Sequence, residues 1–210
     1  EMVNFMGDIE PEIIGIDENE SALSDEYDIK GVGLKDVFDR LVLGTRLHGL
    51  FNNSATCNGV PTYTSGEKGL GKQNFSFFWY IDSDRNSTNR CASRDNSSLK
   101  GFEFSFNYKG SLDGDGTLTE SRISYQCVNG SWGAVPIPLT SSKQKMCDVV
   151  GGGMASIGKK ELFKFKSLYN KSADLRIYST VSDVIINDSL ANDTAGPFFY
   201  TQGTFGFKFE

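Results

Sequence analysis

Histidine is almost missing from this chain: His48 is the only one in 210 residues. A Ser-His-Asp arrangement would have to use it, and no serine sits in a nucleophile-elbow pattern. His48 therefore reads as an ordinary strand residue, no catalytic set is legible, and the chain is not expected to be an enzyme. The four cysteines include no CxxC pair, so with one histidine they make no zinc ligand set. No apolar run approaches the ~20 residues of a membrane-spanning helix, and no signal-peptide pattern is visible. Basic clusters are absent as well. Together with a net charge of −6, that argues against a nucleic-acid partner.

What is abundant points to strands. The chain carries 23 Gly, 16 Phe and 8 Tyr, with few long stretches of Leu, Ala, Glu and Lys. Residues 101–108 (GFEFSFNY) alternate strictly, placing Phe102, Phe104, Phe106 and Tyr108 on one face and Glu103, Ser105 and Asn107 on the other. That reads as a half-buried antiparallel strand. Residues 41–47, 120–128, 175–186 and 203–210 give further strands, and Asn129-Gly130 reads as a hairpin turn into 132–139. Pro136 and Pro138 confine that last stretch to an edge or a strand end. One short helix is expected within 156–169, after Gly151, Gly152 and Gly153 as a breaker. Eight or more short strands with turns between them predict an all-β fold, a two-sheet antiparallel sandwich of jelly-roll type with at most one short helix.

Charge divides the chain in two. Residues 1–30 hold ten acids and one base (−9), leaving 17 acids and 20 bases (+3) for the remainder. The expected organisation is an acidic N-terminal arm, 1–28, and a sandwich domain, 29–210. Within the arm, Ile13, Ile14 and Ile16 form an apolar island behind Pro11 that suits an edge strand. An acidic arm on a mildly basic body can engage its own body or a neighbour's.

Cys57, Cys91, Cys127 and Cys147 are even in number and widely spaced, which fits two disulfides in an oxidising compartment. Pairing 57–91 and 127–147 is favoured, since each bridge would join neighbouring segments. Asn-x-Ser/Thr occurs at Asn19 in the acidic arm and, in the sandwich domain, at Asn52, Asn74, Asn86, Asn96, Asn129, Asn170, Asn187 and Asn192. Fourteen Asn among 35 Ser and Thr would give about two or three sequons by chance, so an excess of this size, eight of them in the sandwich domain, points to an N-glycosylated, extracellular chain.

The centre of the chain is residues 75–91, FSFFWYIDSDRNSTNRC. Seven residues with five aromatics read as a buried strand, with Trp79 in the core. The character then changes within one residue to turn chemistry at Asp82. Asp82, Asp84 and Asn86 place three oxygen ligands at alternating positions, as Ca²⁺ loops begin, and Asp113 and Asp115 repeat the spacing. Ca²⁺ is the cofactor these loops would take. An exposed Trp132 or Tyr63 could stack on a sugar ring.

A strand ending in Tyr80-Ile81-Asp82-Ser83-Asp84-Arg85-Asn86-Ser87-Thr88, with residues 41–48 as a preceding strand and Asp193 to Pro197 (DTAGP) late in the chain, resembles secreted β-sandwich domains of the DOMON and family-9 carbohydrate-binding type. The likeness spans about two-thirds of the chain and implies a sandwich; His48 and four scattered Met form no haem-ligand pair, so the haem-binding variant is not implied. The sequon load and asymmetric charge are also similar to those of archaeal surface and filament glycoproteins. The expected function is a structural or assembly subunit of a cell-surface layer or filament, its partner another copy or a neighbouring surface protein. In it, Ile13, Ile14 and Ile16 would lie along an edge strand of the next subunit. The alternative is a carbohydrate-binding module with a glycan partner and a structural calcium ion.

Overall fold

A computed structural model of the chain describes residues 12–18, 28–37, 39–47, 73–88, 90–112, 118–141, 152–162, 164, 174–186 and 189–201. In chain order the strands are β1 (Glu12–Ile16), β2 (Ile29–Val37), β3 (Arg40–Leu47), β4 (Gln73–Asp82), β5 (Phe104–Leu112), β6 (Leu118–Val128), β7 (Ser131–Val135), β8 (Leu139–Ser141) and β9 (Gly152–Gly158). The four-residue helix α1 (Lys159–Leu162) follows, then β10 (Leu175–Ile186) and β11 (Ser189–Tyr200). They form a five-stranded sheet in the order β1-β2-β3-β9-β8 and a six-stranded sheet in the order β11-β10-β4-β5-β6-β7. Every pairing is antiparallel. The expected all-β sandwich is what the chain forms.

The period-2 pattern explains the packing. Val32, Leu34, Leu41, Leu43, Leu47, Ala155 and Ile157 from the smaller sheet meet Phe77, Trp79, Ile81, Phe104, Phe106, Tyr108, Ile177 and Val181 from the larger one in a single core. Trp79 is wholly buried, as its apolar surroundings imply. Among the described residues, polar links between the sheets include Thr45 Oγ1 to Ser179 Oγ at 2.5 Å and the Ile29 N–H donated to Asp193 Oδ2 at 2.6 Å. The Asn129-Gly130 turn has positive φ at both residues (50° and 77°), the geometry a two-residue hairpin demands, and it joins β6 to β7 as expected. Pro136 and Pro138 fall between β7 and β8, outside any ladder.

Two expectations change. Gly152 and Gly153 do not break the chain; they open β9, opposite Arg46 and Thr45. The reason is contact: a Cβ on Gly153 would stand 2.6 Å from the Phe77 ring, so glycine lets the two sheets approach there. Helix α1 is short and falls within 156–169 as expected, with Leu162 buried. The 101–108 stretch is buried on both faces, Glu103, Ser105 and Asn107 included, because a loop folds across its outer side. The last expected strand, 203–210, lies outside the described residues.

The apolar island of the arm is an edge strand, and the sheet it edges is its own. β1 runs against β2, with Glu12 opposite Leu34 and Ile16 opposite Gly31 and an irregularity between Ile13 and Gly15. Ile14 packs partly onto the core, while Ile13 and Ile16 are 42% and 76% exposed.

Candidate acidic site beneath the 83–103 loop

β4 ends in the larger sheet at Asp82, where the chain turns back on itself. Asp82 Oδ1 accepts the backbone N–H of Asp84 at 3.1 Å and of Arg85 at 2.6 Å, an Asx turn in which Arg85 takes φ 57°. The motif then repeats. Asp84 Oδ1 accepts the Asn86 N–H at 2.8 Å, and Asn86 Oδ1 accepts both the N–H and the hydroxyl of Thr88 at 3.1 and 2.7 Å. Side-chain acceptors thus replace ladder partners through the turn, which is why Asp and Asn alternate there.

Asp82 Oδ2 also accepts Arg176 Nε at 2.8 Å. Strand register places Arg176 directly across from Asp82 on β10. Arg176 reaches on to the carbonyl of Lys100 and lies 4.9 Å over the Phe102 ring, tying the far end of the loop to the sheet. Burial raises the Asp82 carboxyl above its ordinary range, with the Arg176 charge opposing.

Glu103 enters from the opposite side. Its N–H donates to Ile81 O at 3.0 Å and its carbonyl accepts Cys127 N–H at 2.8 Å, so the residue is clamped between neighbouring strands and fully buried. Glu103 Oε2 accepts the Ser83 N–H at 2.7 Å and the Ser83 hydroxyl at 3.3 Å. Oε1 accepts no hydrogen bond; its nearest cation is Arg90, whose Nε stands 3.7 Å away and 4.0 Å from Asp84 Oδ2. Burial, reinforced by the charges of Asp84 and Asp82, pushes the Glu103 carboxyl up to about 8. One carboxylate oxygen each from Asp82, Asp84 and Glu103 lie within 4.8 Å of one another, an arrangement that could hold a metal ion.

The rest of the loop lies across the outer face of the larger sheet. Tyr80, Phe102 and Tyr178 form a second buried cluster with Phe78, Leu99 and Trp132 partly buried around it. Tyr178 donates to Asp95 Oδ2 at 2.5 Å, and Tyr80 Oη accepts the Arg94 N–H at 3.2 Å. Burial raises both phenols above their usual range. Arg94 sits over the rings of Tyr125, Phe78 and Trp132 at 4.3, 4.8 and 5.5 Å and donates to Ser105 Oγ at 3.2 Å. Trp132 is half-buried, with its indole N–H donated to Ala92 O at 2.8 Å and its ring beside Tyr80.

A disulfide closes the loop. It joins Cys91 to Cys127, with Cα atoms 5.6 Å apart, so the favoured pairing of Cys91 with Cys57 and Cys127 with Cys147 does not hold. Strand order is the reason: Cys91 bridges to Phe102 beside β5, and β5 pairs with β6, which carries Cys127. Sequence proximity misled because 36 residues of separation collapse to one strand spacing.

Of the expected ligands, Asp82 and Asp84 come together, and Asn86 turns its oxygen into its own turn. Asp113, Asp115, Tyr63, Cys57, Cys147, His48, Asn52, Asn170 and Asn187 lie outside the described residues. Asn86, Asn96, Asn129 and Asn192 are exposed; Asn74 lies within β4 opposite Ser111. Glu103 was missed because its alternating strand made it look solvent-facing. An acidic side chain amid the aromatic run GFEFSFNY was the available signal. The chain matches no protein-family model, no curated protein and no solved structure. No helix among the described residues is long and apolar enough to cross a membrane.

Proposed function

We propose that this chain is an extracellular, N-glycosylated structural subunit of a cell-surface layer or filament, with neighbouring copies joined through the N-terminal arm. The observation that carries the reading is β1. Among the described residues it is an edge strand with a single ladder, to β2, and it completes the smaller sheet from a segment of the acidic arm. A ladder made within one chain uses the same main-chain groups as a ladder made between two. In the assembled form, β1 of one copy lies on β2 of the next, Ile14 covers the neighbour's core, and the acids of the arm set its direction. Repeating this contact without closure yields a fibre. Exposed Asn86, Asn96, Asn129 and Asn192 leave room for glycans on such a subunit. Light-scattering mass across a concentration series tests the reading. Mass growing well beyond one glycosylated chain, and lost on deletion of residues 1–18, is the expected result; a monomer at every concentration refutes it.

A second reading, a carbohydrate-binding module with a structural calcium ion, draws on the half-buried rings of Phe78, Tyr125 and Trp132 beside one another on the outer sheet face. Glycan-array binding that disappears in Trp132→Ala would favour it, and flat arrays with and without Ca²⁺ would eliminate it.

A further inference from the structure

We infer that Asp82, Asp84 and Glu103 together form a binding site for one hard divalent cation of the calcium type, with Arg90 as a displaceable guard at its mouth. The inference rests on neither reading of function above.

Three acids close together do not make a site, since carboxylates crowd in turns for other reasons. The deciding feature is Glu103 Oε1. It belongs to a side chain with no solvent exposure, it accepts no hydrogen bond, and it belongs to the residue whose carboxylate meets those of Asp82 and Asp84. A buried carboxylate oxygen without a donor is costly to maintain, and natural structures usually satisfy such an atom with protein, water or an ion. The other acceptors are assigned. Asp82 Oδ1 takes two N–H groups, Asp82 Oδ2 takes Arg176, Glu103 Oε2 takes Ser83, and Asp84 Oδ1 takes Asn86. Glu103 Oε1 and Asp84 Oδ2 remain as open acceptors, and Asp82 Oδ2 keeps one lone pair.

The spacing is compatible with calcium. Oxygens on one calcium ion, each at roughly 2.3–2.6 Å, stand no more than about 5 Å apart, whereas magnesium at about 2.1 Å closes that limit to nearly 4 Å. The three oxygens lie within 4.8 Å of one another, inside the span that one calcium ion bridges, and a buried site with few protein oxygens suits the ion with the more flexible geometry. Asp84 is exposed, so water can complete the coordination from its side. Asn86, which the sequence offered as a ligand, is replaced in this set by Glu103.

Arg90 explains how the group stands together without the ion. Its Nε lies 3.7 Å from Glu103 Oε1 and 4.0 Å from Asp84 Oδ2, near the two open acceptors yet beyond hydrogen-bond range of both. Its side chain is one-third exposed, so it can rotate outward. With Arg176 staying on Asp82 and Arg90 leaving, a divalent ion brings the three carboxylates to neutrality.

The test is calorimetric titration of CaCl₂, and separately MgCl₂, into the chelator-stripped full chain, with the melting temperature recorded in each state. Saturable binding of one Ca²⁺ per chain, weaker Mg²⁺ binding and a raised melting temperature are expected. Affinity in the range of extracellular calcium modules, roughly 10⁻⁴–10⁻³ M, suits a site with three protein oxygens. Glu103→Gln and Asp84→Asn should each weaken binding at least about tenfold, as lost charge on a hard cation requires. Asp84 is exposed, so its variant folds even where the buried one does not. Arg90→Gln should tighten binding by removing the competitor. No saturable heat up to about 10 mM Ca²⁺, the upper end for such modules, would overturn the inference. So would binding that is undiminished in Asp84→Asn, or magnesium bound as tightly as calcium.

Discussion

Replacing both Cys91 and Cys127 by alanine opens a loop of 36 residues that the disulfide otherwise closes. In the chain-entropy account, closing a loop of that length removes about 13 cal/mol/K from the unfolded ensemble, or about 4 kcal/mol at 25 °C. The bridge also holds the 83–103 loop onto the outer sheet, where Tyr80, Phe102 and Tyr178 are buried beneath it. Part of that packing should loosen in the variant, so ~4 kcal/mol is a central figure and not a ceiling. With a urea slope of roughly 2–3 kcal/mol/M for a chain of this size, the midpoint falls by about 1.5–2 M. Urea unfolding followed by circular dichroism reads that shift, and non-reducing peptide mapping reads the pairing directly. A map that links Cys91 to Cys57 would refute the topology argument. A double variant within about 1 kcal/mol of the parent would refute the energetic one.

Gly15 lies against Phe198, and a Cβ there would overlap the ring. Gly15→Val should therefore dislodge β1, costing about 1–3 kcal/mol where the strand docks, and speed hydrogen exchange along β2 while the remaining strands stay protected. Since a neighbour's Phe198 would meet the same valine, this variant should also stay monomeric in light scattering. Phe106→Ala removes a wholly buried ring stacked on Phe104 and should lose about 3–5 kcal/mol in urea unfolding. Glu103 has its carboxyl raised in the folded state, to about 8 from an ordinary 4.5, so folding favours its protonated form. Its contribution is most favourable below about pH 4.5 and is lost as pH rises through about 8. Glu103→Gln, measured in chelator, should gain stability relative to the parent as pH climbs across that window; parallel pH profiles would contradict it.

The alternation of Phe102, Phe104, Phe106 and Tyr108 was enough to place a strand, and the aromatic run from Phe75 to Tyr80 was enough to bury Trp79. Local rules suffice for such features, because side chains along a strand alternate faces whatever the partner is. Turn chemistry was equally local: Asn129-Gly130 needs only its own φ angles, and the Asp82 turn needs only side chains two and three residues from the backbone they hold. For the same reason Ile13 to Ile16 read correctly as an edge strand, although their sequence could not say whose sheet they edge.

Tertiary structure alone decided what covers the second face of the larger sheet. Glu103 looked solvent-facing from its period, yet the loop after β4 returns over it and buries it with Asp82. Cysteine pairing likewise depended on which strands neighbour one another, and β5 beside β6 brought Cys91 to Cys127 across 36 residues. Gly153 resembles part of a breaker until Phe77 arrives from the opposite sheet and requires a residue without a side chain there. Backbone preference and face alternation belong to a few consecutive residues, and so are written in the chain. Which charges meet, which sulfurs bond and which glycines are needed depends on contacts between distant segments, which exist only once the two sheets have packed.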